Sequence, residues 1–283
     1  MLSIMSTSTP FALDHIIILL PAEILDSPPK VFTDAFTILP GGAHADGKTY
    51  NKLVILQSGV YLEFIAFIED SAASKEGHWW GSKTAGSIID WALASQSVED
   101  IEKLHDFYEE PRKGGRKRLD GKSVEWYVTF PKDGMERGSV PFFCHDITPR
   151  ELRVPPEGLQ HPSGALGVDR IVVVATKDWL EDLAMRYEKI FGRSHDGEPK
   201  SWRVNEPTTK GGSTSRFGSG TIVQLREASD EEDAAILKMN GGIAGVKEIS
   251  LFCVGKGGKD PDRVVVEDLR LARIRIGLRF VDA

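Results

Sequence analysis

Leu13-Asp14-His15-Ile16, Ile89-Asp90-Trp91-Ala92, Val168-Asp169-Arg170-Ile171 and Val246-Lys247-Glu248-Ile249 are the four stretches that decide the fold. Each consists of an apolar, a polar, a variable and an apolar residue, and they recur at intervals of about 76 to 79 residues. A pattern this short carries weight because each copy precedes a helix-like segment or further strand-like segments. The spacing predicts four repeats, with first strands near residues 12–20, 87–93, 168–175 and 245–253.

The first repeat shows the order of its elements most clearly. A helix is predicted over Val31–Leu39, and Pro40-Gly41-Gly42 stops it. Two strands follow, Asn51–Gln57 and Val60–Ile68, and Ser58-Gly59 between them predicts a tight hairpin. The order is strand, helix and three strands, a βαβββ unit that combines parallel and antiparallel pairing in one mixed sheet.

The second repeat follows the same order. Val98–Tyr108 is predicted to be a helix, with Ser97 as its N-cap and Asp100 three residues later. The basic, glycine-rich segment Arg112–Arg118 is predicted to be a solvated loop, with an anion contact as the alternative. Two strands and a proline-rich linker complete the repeat: Val124–Phe130, Val140–Ile147 and Pro149–Gly164.

The second half repeats the order less completely. Trp179–Phe191 is an amphipathic helix, Gly220–Arg226 is a strand, and the last strand is Leu271–Val281. The sequence therefore predicts an α+β fold of repeated βαβββ units. Three regions are expected: a Ser/Thr-rich, disordered leader at 1–10, two repeats in 11–150, and two further, degenerate repeats in 151–283.

Composition and charge exclude several classes of protein. The chain has 283 residues, 41% of them hydrophobic, enough for one large or two ordinary cores. Its formal charge of -7 gives no positive field, so we expect no nucleic-acid partner. The start has no signal-peptide pattern and no apolar run spans a bilayer, which predicts a cytoplasmic protein without a membrane partner. Cys144 and Cys253 lie in apolar runs, which predicts buried, reduced thiols.

Several motifs lie between residues 11 and 175. They are Leu13-Asp14-His15, Gly41-Gly42-Ala43-His44, Gly47-Lys48-Thr49-Tyr50-Asn51, Tyr61-Leu62-Glu63, Trp126, Pro141-Phe142-Phe143 and His161-Pro162-Ser163-Gly164-Ala165. Together they resemble the glyoxalase-like domain family of the vicinal-oxygen-chelate superfamily, and the last is similar to that family's His-Pro-Asn-Gly-Ala signature. The resemblance implies that residues 11–150 form a glyoxalase-like domain whose paired units roll their mixed sheets into an open cup.

The resemblance also implies a metal site. In that superfamily the first and last strands of paired units supply the ligands, which points to His15 and to Glu63, the latter also the expected catalytic residue. Trp91 stands at the matching first-strand position of the second repeat, so His145 is the third predicted ligand. Imidazole plus carboxylate suits a divalent Zn, Fe, Mn, Ni or Co ion that chelates two neighbouring substrate oxygens. The alternatives are a strand histidine bonded to a neighbour and a glutamate facing the sheet edge.

Eight residues are predicted to contact a ligand: His44, Thr49, Asn51, Trp79, Trp80, Trp91, Trp126 and His161. His44 lies in a glycine-rich loop, a kind of segment that often carries function on a rigid scaffold. Trp79 and Trp80 either cover an apolar ligand or pack one ring against the sheet. His161 either contacts the ligand or shapes a turn.

Two functions are therefore expected from different classes. The first is a metal-dependent enzyme of the lyase, isomerase or dioxygenase type, acting on a small oxygenated metabolite in the cup. The second is a metal-free protein that binds or sequesters a small molecule. The pair of His15 and Glu63 favours the enzyme, whereas Trp91 at a ligand position favours the binding protein. In the second half, Arg170 and Glu248 are expected to form an ion pair or part of an oligomer surface; a homodimer is compatible with the sequence.

Overall fold

The computed structural model describes residues 11–95, 97–132, 134–194, 198–207, 220–254, 266–271 and 274–281. The predicted leader, 1–10, lies outside them. The strands are β1 (Ala12–Leu19), β2 (Leu39–Ala43), β3 (Thr49–Ile55), β4 (Tyr61–Phe67), β5 (Ser87–Ala94), β6 (Arg112–Lys117), β7 (Ser123–Thr129), β8 (Phe142–Asp146), β9 (Ala165–Ala175), β10 (Ser201–Val204), β11 (Thr221–Glu227), β12 (Ala244–Val254), β13 (Val266–Leu271) and β14 (Ile274–Val281). The helices are α1 (Ala22–Asp26), α2 (Lys30–Thr33), α3 (Ala72–Lys75), α4 (Arg150–Arg153), α5 (Lys177–Phe191) and α6 (Glu231–Met239), with a 3₁₀ helix at Val98–Leu104.

The first eight strands form one mixed sheet in the order β2-β3-β4-β1-β5-β8-β7-β6. β1 pairs with β4 and β5 pairs with β8 in parallel, and the two units join where β1 and β5 run antiparallel. The second unit contains the predicted cap, since the Ser97 side chain accepts the Glu99 N–H and Asp100 accepts the Ser97 N–H. The first half is thus the predicted pair of βαβββ units.

The second half forms a six-stranded sheet in the order β10-β11-β9-β12-β14-β13. The predicted first strands of the third and fourth repeats are β9 and β12, which pair antiparallel as β1 and β5 do. The expected ion pair between Arg170 and Glu248 is not among the ion pairs of the described residues. Arg170 pairs with Glu198 at 2.9 Å instead, and Glu248 pairs with Arg275 at 2.9 Å. No helix within the described ranges has the length and apolar character needed to cross a bilayer.

The first sheet buries both of its faces. One face packs against the second half in the largest core, which includes Leu13, Trp91 and, from the second half, Trp202. The other face forms a separate cluster around Ile17 and Phe142. Successive side chains of a strand point to opposite faces of the sheet. Neighbouring residues therefore alternate between the core against the second half and the concave face.

The first sheet curls until its two edge strands meet. Near the end of β2, the Ala45 N–H donates to the Gly115 carbonyl of β6 at 2.9 Å. Gly42 has a φ of +147°, and a Cβ there would lie 2.6 Å from the Lys117 carbonyl oxygen, so only glycine allows this approach. The sheet is therefore a nearly closed cup.

Three segments differ from the sequence prediction. Residues 112–118 are not a solvated loop, since most of them form β6. The predicted linker, 149–164, contains α4, with Arg153 only 2% exposed. In place of the predicted helix 31–39, the structure has the shorter helix α2. Pro40 lies within β2, an edge strand, which tolerates a residue that has no backbone N–H.

Candidate functional site

The concave face of the first sheet lines a cavity of about 150 Å³ that opens to solvent. Most of the surface of its wall is apolar. His15, His44, Asn51 and Glu63 lie together and form its polar end. The apolar wall comprises Leu53, Trp79, Trp80, Trp126, Val128, Phe130 and Phe142. Concave, mostly apolar spaces with a few converging polar groups are the usual form of small-molecule sites.

Glu63 lies at the centre of the polar end. β4 points Tyr61, Glu63 and Ile65 to the concave face by simple alternation. The Glu63 carboxylate accepts a hydrogen bond of 2.5 Å from Asn51 Nδ2 through Oε1. Burial alone would raise the pKa of Glu63, but His44, His15 and Asn51 together lower it to about 2. Glu63 is therefore a buried carboxylate held in its ionised form.

His15 faces Glu63 from the neighbouring strand. His15 Nε2 lies 3.5 Å from Glu63 Oε2, and its Nδ1 lies 3.2 Å from Asp14 Oδ2. The ring stacks on Tyr61, with centroids 4.7 Å apart. The predicted proximity of His15 and Glu63 on one side of the sheet is present, and the stack on Tyr61 holds the plane of the imidazole.

His44 is the second imidazole at the polar end. His44 Nε2 lies 3.5 Å from Glu63 Oε1, and its Nδ1 is hydrogen-bonded to the Thr49 hydroxyl at 2.8 Å. Thr49 is 1% exposed and does not line the cavity, so it positions His44 instead of touching a ligand. The Asn51 Oδ1 atom is buried without a hydrogen-bond partner, a polar group that a ligand could satisfy.

Three of the four predicted tryptophans, Trp79, Trp80 and Trp126, line the cavity. Trp79 is 41% exposed at the mouth, whereas Trp80 is buried and donates its Nε1–H to Asp90 at 2.9 Å. Trp126 packs edge-on to His44, with centroids 6.4 Å apart. At Gly114 a Cβ would lie 2.8 Å from Trp126 Nε1, so glycine lets the indole lie directly against β6. These rings form an apolar surface beside the polar end.

Trp91 does not reach the cavity, contrary to its predicted role as a ligand contact. It is fully buried in the core between the sheets, where it stacks on Phe191 at 6.1 Å and packs edge-on to Tyr187 at 6.2 Å. The cause is a pair of register shifts between β1 and β5, which leave Asp14 and Ile89 without a directly paired residue. His15 pairs with Ala92, so the residue of the second repeat that faces the cup is alanine.

His145 also lies outside the cavity, although it was predicted to be a metal ligand. β8 turns Phe142 and Cys144 to the concave face, so Phe143 and His145 point to the opposite one. His145 Nε2 is hydrogen-bonded to the Thr129 hydroxyl at 3.2 Å, and its Nδ1 to the Ser95 hydroxyl. In the described part of the chain, no group of three or more His, Cys, Asp or Glu side chains could hold a metal ion. The predicted three-ligand set does not fit this structure.

The buried position of His145 predicts a dependence of stability on pH. Burial lowers its pKa to about 4, so the folded protein keeps the ring neutral. The stabilisation is complete above the unfolded pKa of about 6.5 and is lost as the pH falls towards 4. The variant H145N should therefore lose less free energy of unfolding than the wild type between pH 7 and pH 4 in urea titrations. Parallel curves of unfolding free energy against pH for H145N and the wild type would contradict this role. The control is H105N, which changes an exposed histidine and should follow the wild-type curve.

His161 is a structural residue instead of a ligand contact. Its Nδ1 accepts the Thr37 N–H at 3.1 Å, and its Nε2 contacts the Ile55 carbonyl at 2.9 Å. Both nitrogens thus bond to backbone groups of the first unit, and the ring lies outside the cavity. The alternative expectation was that His161 shapes a turn, and the Gly164 N–H indeed donates to the His161 carbonyl oxygen at 2.8 Å.

Arginines also line the cavity, although none of them was among the predicted site residues. Arg153 Nη1 lies 2.8 Å from Asp14 Oδ2, and its Nε lies 2.6 Å from Asp146 Oδ1. Burial raises the pKa of Asp14, but Arg150, Arg153 and His15 hold it well below its usual range. Arg116 is 6% exposed on β6 and also lines the cavity. Arg116 belongs to the basic segment Arg112–Arg118, for which an anion contact was the alternative to a solvated loop.

Comparisons with known proteins agree with this architecture. A family model described as a glyoxalase-like domain matches residues 13–191. A search of curated protein sequences finds no relative. A hypothetical protein from Staphylococcus aureus has a similar structure, with a TM-score of 0.66 and 11% identity over 96% of this chain and 100% of that one. A mutant 4-hydroxymandelate synthase from Streptomyces coelicolor has a TM-score of 0.52 and 12% identity over 98% and 93%.

At these identities the solved structures establish the fold alone. The family model covers more than half of the chain, from β1 to the end of α5. The curled sheet of paired βαβββ units is the cup of the vicinal-oxygen-chelate superfamily. The chain therefore belongs to the glyoxalase-like domain family.

Proposed function

We propose that the cavity of the first sheet binds a small aromatic molecule that carries two neighbouring oxygen atoms. The observation that carries this proposal is the contact of Glu63 with both His15 and His44 at the polar end of a mostly apolar cavity. Of the two functions expected from the sequence, this is the small-molecule binding protein. The lyase, isomerase or dioxygenase activity stays a prediction.

The apolar wall supports an aromatic ligand. Trp79 and Trp126 offer partly exposed ring surfaces, and Phe130 and Phe142 lie behind them with centroids 5.4 Å apart. Ring–ring contacts in offset or edge-on geometry contribute about 0.5–1.5 kcal/mol each beyond the burial of area. A planar ring is therefore the ligand group that this wall stabilises best.

The polar end supports two neighbouring oxygens on that ligand. A hydroxyl group can donate to the ionised Glu63, and a second oxygen can accept from a ring nitrogen of His15 or His44. Asn51 and Glu63 already share a buried hydrogen bond, which keeps the carboxylate in place. Polar groups held in position before binding lose little entropy when the ligand arrives.

The predicted divalent cation has two candidate ligands at this place, His15 and Glu63. When bound, such a cation would act as a Lewis acid on the ligand's oxygens. His145, the third predicted ligand, points to the other face of the sheet. We therefore assign no step of a reaction to a metal.

A titration with 3-phenylpropane-1,2-diol tests the proposal, because this neutral probe combines a ring with two neighbouring hydroxyls. We expect saturable quenching of tryptophan fluorescence in the wild type. The variant E63Q should bind about 10- to 100-fold more weakly, since a hydrogen bond to a charged group contributes about 1.5–3 kcal/mol. The measurement is the dissociation constant of each protein.

The matched control is E69Q, which makes the same change at an exposed position just beyond β4. It should bind the diol as the wild type does. Two results would oppose the proposal: no saturable binding by the wild type, or equal affinity of E63Q and the wild type while both proteins are folded by circular dichroism.

A further inference from the structure

Arg116 is a buried cation without a carboxylate partner. Its side chain is 6% exposed, and among the described residues it forms no ion pair. Within the described ranges its side chain makes one hydrogen bond, from Nη2 to the Arg153 carbonyl oxygen at 3.0 Å. A guanidinium group has five N–H donors, so most of the donor capacity of Arg116 is unused by the protein.

The other arginines around the cup are paired. Arg153 bonds to Asp14 and Asp146, Arg112 lies 2.6 Å from Glu109, and Arg118 lies 3.2 Å from Asp120. A buried charge that lacks a partner costs free energy. Arg116 thus stands out from its neighbours as the guanidinium whose charge the described protein does not balance.

The position of Arg116 directs its charge into the cavity. It lies on β6 at the closure of the cup, where its backbone bridges to that of His44. Burial lowers the pKa of Arg116, and the nearby Tyr61 and Glu63 oppose that shift without forming an ion pair with it. The Glu63 carboxylate already lies 3.5 Å from ring nitrogens of His15 and His44 and accepts a hydrogen bond from Asn51. An anionic group that enters the cavity can therefore form an ion pair with Arg116.

We propose that Arg116 binds a carboxylate of the ligand, so that the molecules held in the cup are aromatic hydroxy acids. This inference rests on the proposed function and narrows it to an anionic class. A guanidinium group matches a carboxylate with two parallel N–H···O bonds, which makes Arg more selective for this group than a point charge. The hydroxyl next to the carboxylate then lies towards Glu63, and the ring lies on the tryptophan wall.

A pair of probes tests this assignment. Phenyllactate and 3-phenylpropane-1,2-diol share the ring and one hydroxyl group and differ in the carboxylate. We expect the wild type to bind phenyllactate about 10- to 100-fold more tightly than the diol, as charge-assisted hydrogen bonds contribute about 1.5–3 kcal/mol. R116Q should lose this preference, with a smaller loss of affinity for the diol than for phenyllactate, whereas R116K should keep part of the preference.

R118Q is the matched control, because Arg118 also donates to a carbonyl of α4, that of Leu152 at 2.8 Å, yet lies outside the cavity. It should keep the full preference. Equal affinity of the wild type for the two probes, with the diol bound, would overturn the role of Arg116 and leave the proposed function intact. If R116Q and R118Q both lose the same affinity for both probes, Arg116 only holds α4 to β6 and does not bind the ligand. If the wild type binds neither probe, the proposed function fails.

Discussion

Replacing Arg153 by Met is expected to lower the free energy of unfolding by about 3–5 kcal/mol, the usual cost of removing one partner of a buried ion pair. Asp14 is fully buried and would keep Arg150, at 2.6 Å, and His15, at 3.2 Å. Asp146 would lose two hydrogen bonds, of 2.6 and 2.9 Å. Urea denaturation of R153M and the wild type measures the difference.

The control is K30M, since Lys30 forms an ion pair with Asp34 in which the two side chains are 84% and 60% exposed. Removing that exposed pair should change the free energy of unfolding by about 1 kcal/mol or less. The double variant D14N/R153M should recover part of the loss, because it removes both charges. A loss below about 1 kcal/mol in R153M would show that the buried pair does not hold α4 to the sheet.

Replacing Trp91 by Ala is expected to destabilise the protein by about 3–5 kcal/mol, as large truncations in a core do. Trp91 is fully buried against Phe191 and Tyr187 of α5, so it ties the first sheet to the second half. Its ring does not line the cavity, and the affinity for 3-phenylpropane-1,2-diol should stay unchanged in the folded variant. Thermal denaturation and fluorescence titration measure the two quantities.

W126A is the matched control for W91A, because Trp126 is half-buried and lines the cavity. It should lose more affinity and less stability than W91A. The reverse order, with binding lost in W91A and kept in W126A, would mean that the faces of β5 and β7 are assigned wrongly.

Much of the fold could be predicted because its signals are local. The apolar first strands, the alternation along β4 and the cap at Ser97 each depend on a few adjacent residues. The strand β6 escaped prediction because Gly114 and Gly115 remove the side chains that would show alternation. Its place in the cup depends on contacts with β2, which no local pattern reveals.

The site was predicted in part for the same reason. His15 and Glu63 lie in regular strands beside each other, and Asn51 and His44 follow from their positions in the same unit. Trp91 was assigned to the wrong face because an unpaired residue in a strand reverses the alternation beyond it. Arg153 could not be foreseen, since its partner Asp14 lies 139 residues away in the sequence.

The central claim is that the oxygens of an aromatic ligand lie between the imidazoles and Glu63. Nuclear magnetic resonance of the histidine ring nitrogens during addition of 3-phenylpropane-1,2-diol tests it most directly. We expect the signals of His15 and His44 to shift together, with the dissociation constant found by fluorescence. The signals of His105, at the surface, and His161, bonded to backbone groups, should stay in place. Saturable binding that leaves the signals of His15 and His44 unmoved would contradict the claim.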